Sequence, residues 1–365
     1  MQIKTLKLVD FRNYETAEIV FERGTNILFG NNAQGKTNLL EALYLLSTTK
    51  SHRRSYDREM IRFGQKEAYI HGVFEDKYGD IRVDLCLQRG KSKRITVNGL
   101  PLKKTGDLIG MIHMVVFSPE DLNIIKSSPA MRRNFMDREL CQINKMYMQD
   151  LSVYKRVLEQ RNKLLKDAAR RKDVRDTLAI WDLQLVKYGQ RIIGERKAFI
   201  HRIREVAAPM HQRLTGNKES LDIGYMADVE AASFEEELQK HRERDLRYQT
   251  TTVGPHRDDL SFFIDGKDVQ TYGSQGQQRT VALILKLSEI EILRTIFKKE
   301  PILLLDDVLS ELDRHRQKLL LNMVKTNQTF ITCTGLEELI ENQFEMNSVF
   351  SVNAGTVVRC NEEVL

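Results

Sequence analysis

The chain has 365 residues, 41% of them hydrophobic and 30% charged, with a formal net charge of +6. That length suits two domains, or one domain with a sizeable insertion, and that composition excludes a disordered chain. No apolar run approaches the ~18 residues of a membrane helix, and the segment Met1 to Asp10 lacks a signal-peptide core, so a cytosolic protein is expected. The four cysteines, Cys86, Cys141, Cys333 and Cys360, form no Cys-x-x-Cys pair, which argues against a zinc site and a disulfide framework.

Residues 1 to about 116 read mostly as strands. Ile3, Leu6 and Leu8, then Ile19 and Val20, then Ile81, Val83, Leu85 and Leu87 fit half-buried strands, and Val97-Asn-Gly-Leu100 is a two-residue hairpin turn. Within this stretch, Thr25 to Phe29 reads as a buried strand and Asn38 to Leu46 as a helix. Between them lies Gly30-Asn-Asn-Ala-Gln-Gly-Lys-Thr37, the pattern of a phosphate-binding P-loop in its proper strand-to-helix context. Gly30 and Gly35 let the backbone curl so that N–H groups point at phosphate oxygens, and the following helix adds its positive end. Lys36 would reach the β- and γ-phosphates and the Thr37 hydroxyl would hold Mg²⁺. Asn31, Asn32 and Asn38 complete the expected ATP-binding set from this loop.

From about Pro119 the texture turns helical and stays so to about Arg247, with amphipathic stretches at Tyr154 to Arg170 and Leu178 to Ile203. Between Leu151 and Val206, 15 Lys and Arg face 7 Asp and Glu, so the rest of the chain is slightly acidic. Such an excess is either a footprint for a polyanion, most naturally nucleic acid, or a solvated helix face. Strand texture returns with Leu260 to Ile264, the Asp265-Gly266 turn, Ile302 to Leu305 and Thr329 to Thr332, around a long helix from Gln277 to Phe297. The expected architecture is α/β: a head of mixed sheets around the P-loop helix, built from 1–116 and 251–365, with a helical arm at 117–250.

Two further motifs carry chemistry. The apolar strand Ile302 to Leu305 ends in Asp306 and Asp307. Beside a P-loop, Asp306 would hold the metal through water and Asp307 would orient the attacking water. Ser274-Gln-Gly-Gln-Gln-Arg279 precedes the long helix. Alone it is an ordinary N-cap, but serine, a close-approach glycine (Gly276), Gln277 and a helix N-terminus also make a second phosphate-binding surface. Two cradles in one chain make sense if the second binds the γ-phosphate held by another copy.

The order of P-loop, Ser-x-Gly-Gln signature, apolar strand with paired acids, and Ser310-Glu-Leu-Asp313 resembles the ABC-type ATPases of the structural-maintenance and double-strand-repair class. More narrowly, Gly254-Pro-His-Arg-Asp-Asp259, Gly273 to Arg279, Leu305 to Asp313 and Phe117-Ser-Pro-Glu-Asp-Leu122 resemble the RecF family of bacterial recombination mediators, over nearly the whole chain. The resemblance implies an ATP-dependent head-to-head homodimer on double-stranded DNA, slow hydrolysis, and cooperation with RecR and RecO in loading RecA at gaps. It also implies that Ser274 and Gly276 of one copy clasp the ATP on Lys36 and Thr37 of the other, with 310–313 along the seam and Arg12 near the nucleotide.

Three departures from the wider ABC pattern stand out. No glutamine occurs in Phe117 to Asp121, no histidine follows the last strand at Ile331-Thr-Cys-Thr334, and Asp307 replaces the more usual glutamate. The first two disfavour the ATPase subunit of a membrane transporter, and the Ser274 signature with a basic arm disfavours a small-molecule P-loop kinase. The shorter Asp307 predicts slow turnover. His256 and Arg257 read equally well as contacts to phosphate or arm and as ion-pair partners of Asp258 or Asp259.

Overall fold

The computed structural model describes residues 1–53, 55–168, 174–336 and 345–360. The chain forms two compact units, one from 1–120 with 289–365 and one from 121–288.

The first unit holds two six-stranded sheets. One is wholly antiparallel, in the order Tyr14–Val20, Gln2–Phe11, Glu67–Asp76, Gly79–Gln88, Arg94–Val97, Leu100–Pro101. Its last hairpin turns on Asn98 and Gly99 with positive φ of 51° and 79°, the geometry that an Asn-Gly pair favours. The other sheet runs Thr356–Arg359, Ser348–Asn353, Thr25–Phe29, Thr329–Cys333, Ile302–Asp306, Met114–Phe117. All its pairings are parallel except that of the terminal hairpin. Strands buried on both faces read as continuous apolar runs, and Ile302–Asp306 is buried throughout. The P-loop helix, Lys36–Thr48, shows why it is apolar nearly all round: Leu39, Leu40, Leu43, Leu45 and Leu46 share one core with inward residues of both sheets.

The second unit is built on two long helices, Lys145–Lys166 and Val174–Thr215. The last two residues of the expected helix Tyr154 to Arg170 lie outside the described residues. A three-stranded antiparallel sheet joins these helices, in the order Lys267–Asp268, Asp259–Ile264, Leu221–Met226. The division between units therefore differs from the expected one at 250. Residues 251–288 belong with the arm because Asp259–Ile264 pairs along its length with Leu221–Met226, a strand inside the stretch read as helical. The signature helix, Gln275–Phe297, begins in the second unit.

Not all of the basic excess of the arm faces water. Arg161 is fully buried, donating to Asp182 and Asp245 at 2.7 Å each and to Thr251 Oγ1 at 2.9 Å. Arg196 is buried too, and donates to Asp137 (2.7 Å), Asp258 (2.8 Å), the Pro255 carbonyl (2.6 Å) and Tyr147 Oη (3.1 Å). Arg132 grips Asp259 with both Nε and Nη2. Both aspartates of the Gly254-Pro-His-Arg-Asp-Asp259 segment thus take arginines other than its own. His256 contacts the arm, with Nδ1 2.7 Å from Tyr154 Oη and Nε2 3.1 Å from the Thr251 carbonyl oxygen. Burial pushes its pKa down to about 4, so the ring is neutral here near pH 7. Among the described residues no helix is long and apolar enough to cross a membrane.

Candidate nucleotide site

Three neighbouring parallel strands, Thr25–Phe29, Thr329–Cys333 and Ile302–Asp306, pair Phe29 with Cys333 and Thr332 with Asp306. Their C-terminal ends therefore open at one edge, where ligands of parallel sheets bind. Residues 32–38, Arg53, Asp306, Asp307 and Thr332 line a cleft of about 370 Å³ there.

The loop is held open by its neighbours. Gly35 has φ 121°, and a Cβ on it would lie 2.7 Å from both Asn13 Nδ2 and Tyr14 Oη, so only glycine fits. Gly30, at φ 149°, packs against the Val352 carbonyl oxygen, which a Cβ would meet at 2.3 Å. Asn13 Nδ2 donates to the Gln34 carbonyl (2.8 Å) and Tyr14 Oη to the Gly35 carbonyl (2.9 Å). From the other side, the backbone N–H groups of Ala354 and Gly355 donate to Gln34 Oε1 and O. Asn13, Tyr14 and Gln34 were not singled out in the sequence, although the first two sit beside Arg12.

Lys36 is 7% exposed and its Nζ donates to the carbonyls of Gly30 and Asn31, the latter at 2.9 Å. Burial lowers its pKa, against the raising influence of Asp307, Cys333 and Asp306. Thr37 Oγ1 donates to Asp306 Oδ1 at 2.8 Å, and Thr332 Oγ1 donates to the same oxygen at 2.9 Å. The backbone N–H of Asp307 donates to Thr332 Oγ1 at 2.8 Å, and Asp307 stands exposed at a left-handed φ of 53°. Thr332 is thus the hydroxyl that ties the two aspartates to the next strand, in the segment where the wider family pattern carries histidine. Thr37 and Asp306 present hard oxygens side by side, the donor type that Mg²⁺ prefers. Lys36 and Arg53 supply the positive charge that phosphates require, so the residues present fit a magnesium nucleotide.

Arg12 does not line this cleft. Its guanidinium lies bidentate on the buried Glu41 (2.7 Å for each contact), with further bonds to Ser55 and the Glu59 carbonyl. Burial alone would raise the Glu41 pKa, but hydrogen bonds from Arg12 and Ser51 bring it below the ordinary carboxylate range. Among the described residues the arginine that lines the cleft is Arg53, which donates to Asn38 Oδ1 at 3.3 Å. Glu120, the acid in the segment without glutamine, is not among the lining residues either.

In the second unit, Ser274 and Gln277 form a reciprocal capping box at the start of the signature helix. Gln277 N donates to Ser274 Oγ at 3.2 Å, and Ser274 N donates to Gln277 Oε1 at 2.9 Å. Ser274 is exposed and Gly276 half-buried. The serine oxygen accepts in this bond, and a hydroxyl that accepts can also donate.

The mixed sheets, the P-loop helix and the paired acids at the strand ends define the head of an ABC-type P-loop ATPase. A family model described as the RecF/RecN/SMC N terminal domain matches residues 2–358, and the DNA replication and repair protein RecF of Agathobacter rectalis is 51% identical over 357 residues, covering 98% of this chain and 99% of that protein. The chain belongs to the RecF family of DNA replication and repair proteins. RecF of Lachnospira eligens is likewise 51% identical, covering 99% of this chain and all of that one. A solved structure of the recombination mediator protein RecF with ATP, in the RecFOR pathway, has a TM-score of 0.92 at 36% identity and covers 99% of this chain and 98% of its own. An Smc head domain from Pyrococcus furiosus, at 15% identity and a TM-score of 0.58, shares the fold. This membership, over nearly the full length, sets aside the transporter-subunit and small-molecule-kinase readings.

Proposed function

We propose that the cleft binds ATP with Mg²⁺ and that two copies close head to head over two nucleotides, the Ser274 motif of each facing the γ-phosphate held by the other. The observation that carries this is the pairing in one chain of a complete P-loop cleft with an exposed serine that forms a capping box at the start of a long helix. With nucleotide bound, phosphate oxygens would replace the Gly30 and Asn31 carbonyls as acceptors for Lys36. Thr37 and Asp306 would hold Mg²⁺, Asp306 through water, and the ion would neutralise charge on the β- and γ-phosphates. Asp307 would orient the attacking water. The relatives' place in DNA replication and repair supports duplex DNA as the cargo of the closed dimer, with RecR and RecO as partners in loading RecA near gaps.

Arg156, Lys163, Lys187 and Arg202 are exposed on the two arm helices and suit phosphate contacts. Hydrolysis would reopen the pair, with DNA stimulating a weak ATPase that serves as a switch. Turnover is expected below the ~10 s⁻¹ typical of enzymes, because aspartate reaches less far toward water than glutamate. Duplex binding should depend on ATP, fall steeply with salt and show little sequence preference. Fluorescence anisotropy with a labelled duplex, with and without ATP, tests this. Binding indifferent to ATP, or unaltered in Ser274→Arg, would sink the clamp.

A further inference from the structure

The capping box at Ser274 is tied to the end of the long arm helix. Gln277, whose Oε1 holds the Ser274 N–H, gives its Nε2 proton to Glu219 Oε1 at 2.9 Å. Glu219 lies just beyond the C-terminus of the helix Val174–Thr215, and its other oxygen is 3.7 Å from Nε2 of the fully buried His211 in the last turns of that helix. The segment between them turns back on the helix end. Gly216 and Asn217 take left-handed φ values of 63° and 60°, and Asn217 N donates back to the Gln212 carbonyl at 2.7 Å. The next residue is locked as well: Ser220 N donates to Asp265 Oδ1 at 2.9 Å, and Asp265 N donates to the Ser220 carbonyl at 3.0 Å.

We propose that Glu219 is a positioning residue that couples the end of the arm helix to the signature serine, through the bonds from Gln277 Nε2 to Glu219 and from Ser274 N to Gln277 Oε1. The physical reason is geometric. Gln277 Oε1 accepts from Ser274 N in the same rotamer that gives Nε2 to Glu219, so the Glu219 bond favours the capping rotamer. Fixing that rotamer holds the Ser274 backbone N–H, and with it the start of the signature helix. A shift of the arm helix moves Glu219 with it, so a load on the arm reaches Ser274 without passing through the P-loop. Glu219 touches neither nucleotide nor reacting atoms in this scheme, and the scheme rests on the shared-site reading above.

The test compares the full-length protein with Glu219→Ala, Glu219→Gln, Gln277→Ala and the Glu219→Ala/Gln277→Ala double variant by sedimentation velocity with ATP, with and without duplex DNA. Loss of one such hydrogen bond should weaken ATP-dependent self-association roughly tenfold in Glu219→Ala. Glu219→Gln, which keeps an acceptor oxygen, should recover most of it. The double variant should be no worse than Gln277→Ala, because both changes cut one chain of contacts. Thermal midpoints and binding of a fluorescent ATP analogue to monomer should stay close to the parent. Self-association of Glu219→Ala at the parental level, or additive losses in the double variant, would overturn the relay. Failure of the shared-site reading looks different: the parent would not dimerise with ATP, or Ser274→Arg would dimerise as the parent does.

Discussion

Asp307→Asn is expected to slow ATP hydrolysis by about 10²- to 10⁴-fold, the range that one positioned proton acceptor contributes, while leaving ATP-dependent dimerisation in place. Asp307 sits at φ 53°, a region that asparagine enters as readily as aspartate, so the substitution adds no strain. Its N–H still meets Thr332 Oγ1, and its carbonyl still accepts from Ser310 Oγ, at 2.8 Å each. Thr37 and Asp306 are untouched, so the expected metal site persists. What goes is the carboxylate that would orient and deprotonate water. Steady-state phosphate release and gel filtration with ATP measure the two effects separately. A rate within a few-fold of the parent would remove Asp307 from the role of base.

The second large effect is on stability. Arg196→Met should cost about 3–5 kcal/mol, the usual result of removing one partner from a buried ion pair. Arg196 is 2% exposed and serves two carboxylates, a carbonyl and a phenol. Methionine fills similar volume without donating, and leaves Asp137 and Asp258 with one charged partner fewer each. Asp258 suffers most, because burial already raises its pKa, against the lowering effect of Arg196 and the Tyr225 hydroxyl. Arg196→Lys should rescue little, since one ammonium cannot reproduce the fork that reaches Asp137 and Asp258 together. Urea unfolding followed by circular dichroism checks this through the midpoint. A midpoint at the parental value would mean that the network carries no net stability.

The legible parts of the molecule were local. The P-loop, the apolar strands ending in Asp306, the Asn98-Gly99 hairpin and the serine before its helix each follow from a few adjacent residues whose geometry has little choice. What escaped was set by partners distant in sequence. Leu221–Met226 is six residues long, contains a glycine and sits between charged stretches; only its pairing with Asp259–Ile264 makes it a strand and draws 251–288 into the second unit. Arg12 carries the charge expected near a nucleotide, and its guanidinium lies on the buried carboxylate of Glu41, 29 residues on, while among the described residues Arg53 is the arginine that lines the cleft. Arg161 and Arg196 counted toward a basic footprint although carboxylates hold both in the core. A charge count cannot tell a core arginine from a solvated one.

If each nucleotide site is shared between two copies, two defective proteins should repair each other when mixed. Lys36→Arg damages the P-loop and Ser274→Arg blocks the signature, so each alone should show neither ATP-dependent dimers nor turnover. Mixed, they should regain both, because one site of the mixed pair joins the intact Lys36 of one copy to the intact Ser274 of the other. Parental activity in either variant alone, or a mixture as inactive as its parts, would contradict the shared site.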